Sequence, residues 1–277
     1  MSENEELKNE SAEPTGEAGE TTELSHSDLL TGVFTAPTET FEQYSKQTIR
    51  TGDYMYPILA LVAMIILSTN IILSNPSIAF QMKDKQKEGI KNQLEDQVKK
   101  GKLSRSEADE RMSKIDDQLK VMDGPMGRVL AGVGILVSTP IMIILICGFY
   151  FLMLRFVFSH DINFRQIVAA SSLSGYISVI SVALNTVAAM LTDKTTTGVT
   201  PLLFVSVEPK TTMYFLLSKL DPLTIWAYIV FAIALAKFAK RDTKQYMYIV
   251  FGTYLIWSAL AFFVLSRLPF FGGLAGA

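Results

Sequence analysis

Five long apolar stretches dominate the chain and are separated by polar segments. None carries an acidic residue or a lysine in its interior. Each approaches or exceeds the roughly 17 residues that cross a hydrocarbon core of about 30 Å. The sequence therefore predicts an all-α integral membrane protein, a bundle of five transmembrane helices. The predicted spans cover residues 56–73, 129–158, 167–191, 223–238 and 246–265.

Two polar segments precede the first span. Residues 1–25 hold eight glutamates and one lysine, with too few apolar residues to bury a core, so residues 1–26 are predicted to be a disordered acidic tail. In residues 27–53 apolar and polar residues alternate irregularly, and Pro37 divides this segment into two short amphipathic helices. Two interpretations are open: the segment lies in the membrane interface, or it packs against the protein itself.

A long polar segment separates the first two spans. Apolar residues recur at helical spacing on both sides of a break near Gly101, and Ser104 and Glu107 stand at the spacing of a capping box. This pattern predicts an extramembrane helical hairpin, residues 81–122, inserted into the five-span domain of residues 54–277. Its two seams consist of Ile90, Leu94 and Val98, and of Met112, Ile115, Leu119 and Met122.

The predicted hairpin is short and marginal by itself, because isolated helices of this length are barely stable in water. We therefore expect a second copy, a partner, or the membrane bundle to complete it, and we favour a homo-oligomer whose hairpins pair. Between residues 81 and 128, twelve basic and ten acidic residues alternate. Such mixing is typical of a solvated surface and gives no indication of nucleic-acid binding.

The third span carries a polar stripe at a strict 3-4-3-4 spacing. It is interpreted either as a packing seam, because small hydroxyl residues let helices approach closely, or as the wall of a polar solute path. Small faces on other spans, Gly134-x-x-x-Ser138 and Ala232-x-x-x-Ala236, favour the seam. The stripe consists of Ser171, Ser174, Ser178, Ser181 and Asn185.

Reactive groups are scarce in the sequence. No Asp, Glu, Lys or His lies in the middle of a span, which disfavours ion-coupled transport. His26 and His160 are the only histidines, and Cys147 is the only cysteine. The chain has no Gly-rich phosphate loop, G-x-S-x-G or H-E-x-x-H motif. We predict no enzymatic activity, no catalytic residue, no cofactor and no metal site.

Basic residues near the helix ends indicate an orientation. Without the hairpin, eight lie on the N-terminal side and four on the other, which predicts a cytoplasmic N-terminus. Counting the twelve hairpin cations reverses the balance to eight against sixteen. Most of the hairpin is set aside because long folded segments cross the membrane largely regardless of charge.

The start of the fourth span has a local explanation. Asp221 is suited to the N-cap and Pro222 to the first helical position, so together they predict where this helix begins. Trp226 and Trp257 are interpreted as interface anchors or packing residues.

Three motifs stand at the entrances to membrane helices. With five spans and a basic turn between the last two, they resemble the Ypt-interacting-protein (Yip) domain family in its bacterial form, over residues 27–267. The motif positions singled out are Pro37, Phe41, Leu220, Asp221 and Trp226. The motifs are Phe34-x-x-Pro37-x-x-x-Phe41, Asn163-Phe164-Arg165-Gln166 and Leu216-Leu217-Ser218-Lys219-Leu220-Asp221-Pro222-Leu223-Thr224-Ile225-Trp226.

The resemblance implies a five-helix bundle with a cytosolic N-terminus, and with the hairpin and the C-terminus across the membrane, which for a bacterial member is the inner membrane. Eukaryotic relatives act in vesicle trafficking and bind prenylated small GTPases and one another, whereas bacterial members have no settled role. The eukaryotic Asp-Leu-Tyr-Gly-Pro signature is absent, so GTPase binding is not carried over. The hairpin is an insertion relative to compact members.

Two functions follow as hypotheses. The first is a membrane scaffold or adaptor that organises partners in the bilayer, either further copies of itself or other membrane proteins. The alternative is a passive permease or transporter subunit whose path is lined by the stripe from Ser171 to Asn185.

Overall fold

A computed structural model describes residues 23–122, 124–194, 198–208 and 211–263. All regular structure in these ranges is helical, which confirms the predicted fold class. Of the predicted tail of residues 1–26, residues 1–22 lie outside these ranges, as does the end of the fifth predicted span; Ser25 and His26 are described and belong to the start of the first helix.

The segment before the first span forms two short helices. α1 runs from His26–Thr35 and α2 from Pro37–Tyr44, with Ala36 between them, so the predicted division at Pro37 is confirmed. Most of their apolar residues pack into the core of the membrane bundle, whereas Leu30 is exposed. We call this helix pair the N-terminal strap. Its buried apolar side chains are those of Leu29, Val33, Phe41 and Tyr44.

The first span and the hairpin are nearly continuous. The first span, α3, runs from Thr51 to Ser74. Asn75 alone separates it from α4, which runs from Pro76 to Lys99. α5, Arg105–Met122, returns antiparallel to α4, with Lys87 Nζ 2.8 Å from Asp116 Oδ1. The first arm therefore begins five residues before the predicted boundary, because Pro76 starts a helix that continues without interruption into the polar segment.

The distal half of the hairpin has its own small core. Leu94, Leu103 and Ala108 are buried there, with Ile90, Val98 and Met112 packed around them. The predicted capping box starts α5: Ser104 N donates to Glu107 Oε2 at 2.8 Å, and Glu107 N donates to Ser104 Oγ at 3.2 Å.

The remaining helices complete the membrane bundle. α6 runs Pro125–Leu152 and continues as a π-helical turn, Met153–Val157. α7 runs Phe164–Thr192. The short α8, Thr212–Ser218, meets α9, Pro222–Phe238, at a bend of 62°, and α10 covers Thr243–Phe263. α8 was not predicted.

Four of the described helices, α3, α6, α7 and α10, are long and apolar enough to cross a membrane, and the count is five when the bent α8–α9 pair is taken as one span. α7 and α9 form the centre, since α7 contacts α1, α3 and α6 as well as α9, and α9 also contacts α2 and α10. Every residue of α9 from 230 to 236 is buried. In α6, by contrast, no residue from 128 to 146 is buried, as expected for a helix surrounded by lipid.

The bundle has two distinct ends. The N-terminal face carries the strap, the α6–α7 connection and the α9–α10 turn; Lys237 Nζ at the end of α9 lies 2.7 Å from Glu42 Oε2 of the strap. The hairpin face carries the hairpin and α8. There, Asn75 Nδ2 donates to Asp193 Oδ1 at 2.6 Å and Gln81 Nε2 donates to Asp193 O at 2.8 Å, so the base of the hairpin is tied to the end of α7.

Candidate functional site

A buried carboxylate lies where the strap meets α3. The Asp53 side chain is 2% exposed. Its Oδ2 accepts hydrogen bonds from Tyr44 OH at 3.0 Å, from the Arg50 backbone N at 3.0 Å and from Arg50 Nε at 3.2 Å. Its Oδ1 accepts from Arg50 Nη2 at 3.2 Å. A buried carboxylate requires such partners, since an isolated buried charge is strongly unfavourable.

The first residues of the strap close over this carboxylate. Arg50 Nη2 donates to Leu24 O at 2.7 Å, and Leu24 N donates to Gln47 Oε1 at 3.1 Å. His26 Nε2 lies 2.7 Å from Tyr176 OH of α7, so the strap is joined to a second transmembrane helix.

The second ring nitrogen of His26 faces Asp53. Nδ1 is buried, lies 3.7 Å from Asp53 Oδ1 and has no hydrogen-bond partner among the described residues. The imidazole also packs edge-on against the Tyr56 ring, with centroids 5.0 Å apart. We call His26, Tyr44, Arg50, Asp53 and Tyr176 the strap cluster.

The electrostatics of the strap cluster follow from burial and from the carboxylate. Hydrogen bonding to Asp53 raises the pKa of Arg50. Burial, with a further contribution from the Asp53 charge, raises the pKa of Tyr44 well beyond its ordinary value, so this phenol stays a neutral donor. Arg165 stands nearby, 5.8 Å from the Tyr54 ring centre. The cluster acts as an anchor that joins the strap to α3 and α7.

The other histidine has a similar structural role. His160 is 5% exposed, and its Nδ1 lies 2.8 Å from Tyr246 OH of α10. Burial, and to a smaller extent the Arg241 charge, lowers the pKa of His160. Each histidine thus bonds a tyrosine of another helix, and the described residues contain no group of three or more His, Cys, Asp or Glu arranged for a metal ion.

The polar stripe of α7 lies partly inside the bundle. Ser174 and Ser181 are buried, while Ser171, Ser178 and Asn185 are half-buried. Ser174 Oγ donates to Ser171 O at 3.0 Å, and Asn185 Nδ2 lies 3.5 Å from Ser181 Oγ, so these two contacts stay within the helix.

A contact between hydroxyls of two membrane helices lies one residue beyond the stripe. Thr186 Oγ1 of α7 is 2.5 Å from Ser68 Oγ of α3. This pair was not predicted from the sequence, although Ser68, a polar residue within the first span, was a signal for it. One hollow of about 100 Å³ lies within the hairpin and another of about 320 Å³ lies beside His160. Neither borders the stripe.

The fourth-span motif is organised around Asp221. Its Oδ1 accepts from Leu223 N at 3.0 Å and from Thr224 N at 3.5 Å, and its Oδ2 accepts from Thr224 Oγ1 at 3.1 Å. Asp221 is thus the N-cap of α9, with Pro222 in the first turn. Gly198, at φ 142°, packs against this cap, and an added Cβ would lie 2.9 Å from Asp221 Oδ2.

The remaining motif positions have separate places. Pro37 starts α2, and the buried Phe41 ring lies 6.4 Å from that of Phe238 in α9. Trp226 packs against the core, whereas Leu220 is exposed. The motifs therefore mark helix starts and packing contacts, and the structure does not bring them together into one site.

The Yip1 domain family matches residues 31–266. The chain belongs to this family. The match confirms the resemblance inferred from the helix-entrance motifs and includes most of the strap, the hairpin and all five spans. His26 precedes the matched residues. No curated protein sequence and no solved structure matches the chain.

Proposed function

We propose that this Yip1-domain protein is a non-enzymatic membrane scaffold or adaptor that organises partners through its two ends. The observation that carries the proposal is the burial of Ser174 and Ser181 in α7, the central helix of the bundle. A polar path needs its lining open to water, whereas these hydroxyls contribute to helix packing. The surfaces left for recognition are the N-terminal face and the hairpin.

The proposed setting is a bacterial inner membrane, with the N-terminal face in the cytoplasm and the hairpin and C-terminus on the opposite side. The eight basic residues counted for the cytoplasmic side lie near helix ends, where such charges set orientation. Contacts of Lys237 with the strap and of Arg165 with Thr51 support grouping these cations on one face.

The proposed partners are further copies of the chain or other membrane proteins. In the distal half of the hairpin, Leu94, Leu103 and Ala108 of one chain already bury one another, so this half has less need of a partner. The proximal residues Ile115 and Leu119 remain half-buried and provide the surface that a second hairpin would cover.

Two measurements on the full-length protein, one after purification and one in native membranes, test this proposal together. In proteoliposomes, we expect small-solute flux equal to that of empty vesicles. In native membranes, a photocrosslinker at Leu119 is expected to yield a discrete product with a second copy or with one membrane protein. Solute flux above the empty-vesicle level that Ser181→Leu abolishes would instead establish a path along the stripe.

A further inference from the structure

Two incompletely bonded groups face each other in the strap cluster. Among the described residues, Asp53 Oδ1 accepts one hydrogen bond, from Arg50 Nη2, although a carboxylate oxygen can accept two. His26 Nδ1 is buried without a hydrogen-bond partner among the described residues, 3.7 Å from that same oxygen. A buried, unbonded ring nitrogen lowers the stability of the docked strap, because its desolvation is not compensated.

The protonation state of His26 decides how strongly Nδ1 interacts with Asp53 Oδ1. In a neutral imidazole one nitrogen carries the proton. If that nitrogen is Nε2, the lone pair of Nδ1 faces the Asp53 carboxylate. If it is Nδ1, the N–H reaches the carboxylate only at the observed 3.7 Å. A protonated ring carries an N–H on both nitrogens and a positive charge: Nε2 donates to Tyr176 OH, and the charge draws Nδ1 toward Asp53 Oδ1 across the 3.7 Å that now separate them.

We propose that the N-terminal strap is a proton-tightened latch: protonation of His26 completes its contact with Asp53 and holds α1 against α3 and α7. Deprotonation leaves Nδ1 facing the carboxylate without a charge-assisted bond, and α1 then opens more often. The device goes beyond the scaffold proposal and holds whether or not that proposal is correct.

The other charges around His26 determine whether protonation tightens the strap. From its own element α1, Asp28 is bonded to Ser25, and α3 contributes Asp53 and Tyr56. The opposing cations are Arg50 and, on α7, Arg165, both exposed, so water screens their repulsion. The phenols of Tyr44 and Tyr176 are neutral. Asp53 Oδ1 lies 3.7 Å from His26 Nδ1 and the residue is 2% exposed, so water screens its attraction only weakly.

Opening of α1 uncovers side chains that are now inaccessible. Leu29 and Val33 are 0% exposed and belong to the same core as α7 and α9. Thr31 lies on the outer face of the same helix and is exposed. A cysteine at Val33 therefore reports opening, and a cysteine at Thr31 is the matched reference.

The test compares thiol labelling at these two positions in the full-length protein with Cys147→Ala, using a water-soluble maleimide. The Val33→Cys rate is divided by the Thr31→Cys rate at each pH, which removes the pH dependence of the thiol reaction. Between about pH 7.5 and about pH 5.5 we expect this ratio to fall by about threefold or more. A ratio that stays constant or rises on acidification overturns the proposal.

His26→Gln provides the decisive control, since glutamine keeps a polar contact to Tyr176 but cannot be protonated. Its ratio should not change with pH, whereas His160→Asn should keep the wild-type dependence. An equal pH dependence in His26→Gln would assign the effect to another group. Gly32→Ala provides the open reference, because the added Cβ would lie 2.7 Å from Thr40 Cγ2 and 2.9 Å from Thr40 Cβ.

Amide hydrogen exchange of α1 in the protein without introduced cysteines gives a second readout, independent of any effect of Val33→Cys on folding. After correction for the intrinsic pH dependence, protection of His26–Thr35 should increase on acidification in the wild type and not in His26→Gln. Equal protection profiles in the two proteins would also reject the latch.

Discussion

Ser68 of α3 and Thr186 of α7 join their hydroxyl oxygens at 2.5 Å between two transmembrane helices. Both side chains are buried, at 8% and 6% exposure. Hydrogen bonds between membrane helices average about 0.6 kcal/mol, so the close approach that these small residues allow contributes more than the bond itself. The same reasoning applies to the neighbouring stripe.

The stripe serines should therefore tolerate loss of the hydroxyl but not an increase in volume. Ser181→Leu should lower the melting temperature in detergent by several degrees, because a buried seam cannot accept three more carbon atoms without moving a helix. Ser178→Leu, at a half-buried position, should have a smaller effect, and Ser181→Ala should be mild. Exposed Ile180→Leu is the control. If leucine is tolerated while alanine abolishes solute flux, the seam interpretation fails.

The cap at Asp221 should have a measurable effect on α9. Asp221→Ala leaves the Leu223 and Thr224 amides without their acceptor and should destabilise the protein by about 1 kcal/mol, whereas Asp221→Asn should retain most of the stability. Thermal unfolding in detergent measures the stability of the two variants, and amide hydrogen exchange of the first turn of α9 reports whether the loss is local to the cap. Equal losses in the alanine and asparagine variants would show that the carboxylate acts through something other than capping.

His160 should make the fold less stable in acid. Burial lowers its pKa in the folded protein below the unfolded value of about 6.5, so the unfolded chain takes up the proton first. Stability is full above the unfolded pKa, is lost as the pH falls through it, and levels off below the folded pKa. Melting temperatures at a series of pH values should show this loss in wild type and less of it in His160→Asn.

The two histidines thus have opposite expected pH effects, since protonation of His26 tightens the strap. His26→Gln should steepen the acid loss of stability, whereas His160→Asn should flatten it. Equal pH profiles for the two variants would contradict at least one of the assignments.

Orientation can be tested by labelling from outside intact cells. With Cys147→Ala as background, a membrane-impermeant reagent should modify Gly101→Cys at the hairpin tip and spare Thr243→Cys at the α9–α10 turn. Permeabilised cells should show labelling at both positions, which controls for reactivity. Labelling of Thr243→Cys alone in intact cells would reverse the proposed topology.

Removal of the hairpin tests its role in assembly. Residues 81–122 are replaced by a short Gly/Ser linker, and the five-span bundle should remain inserted, with a lower oligomeric mass in native mass spectrometry. Ile115→Ser with Leu119→Ser is the finer variant, because it alters the proximal surface and spares the distal core. An unchanged mass in both variants, with an intact bundle, excludes the hairpin as the assembly element.

Local signals in the sequence predicted local structure well. The break at Pro37 and the capping box at Ser104 each depend on residues within four positions, and both are confirmed. The strap cluster escaped prediction because it joins His26 to Tyr176, which are 150 positions apart, and no periodicity encodes such a contact. The seven-residue α8 was missed since its apolar residues form no long run. For the strap cluster, the sequence did contain one signal: Asp53 is an acidic residue in the first turn of a membrane span.

The joint between α3 and α4 gives the hairpin mechanical leverage on the membrane bundle. A single residue, Asn75, connects α3 to α4, and the side chains of Asn75 and Gln81 both donate hydrogen bonds to Asp193 at the end of α7. With 24 residues at about 1.5 Å each, α4 is a rod of about 36 Å. A tilt of about 10° at its base moves its tip by about 6 Å for a rod of this length. A force applied at the hairpin tip, for example by a bound partner, therefore acts as a torque at the base of α4. There it is transmitted to the ends of α3 and of the central helix α7.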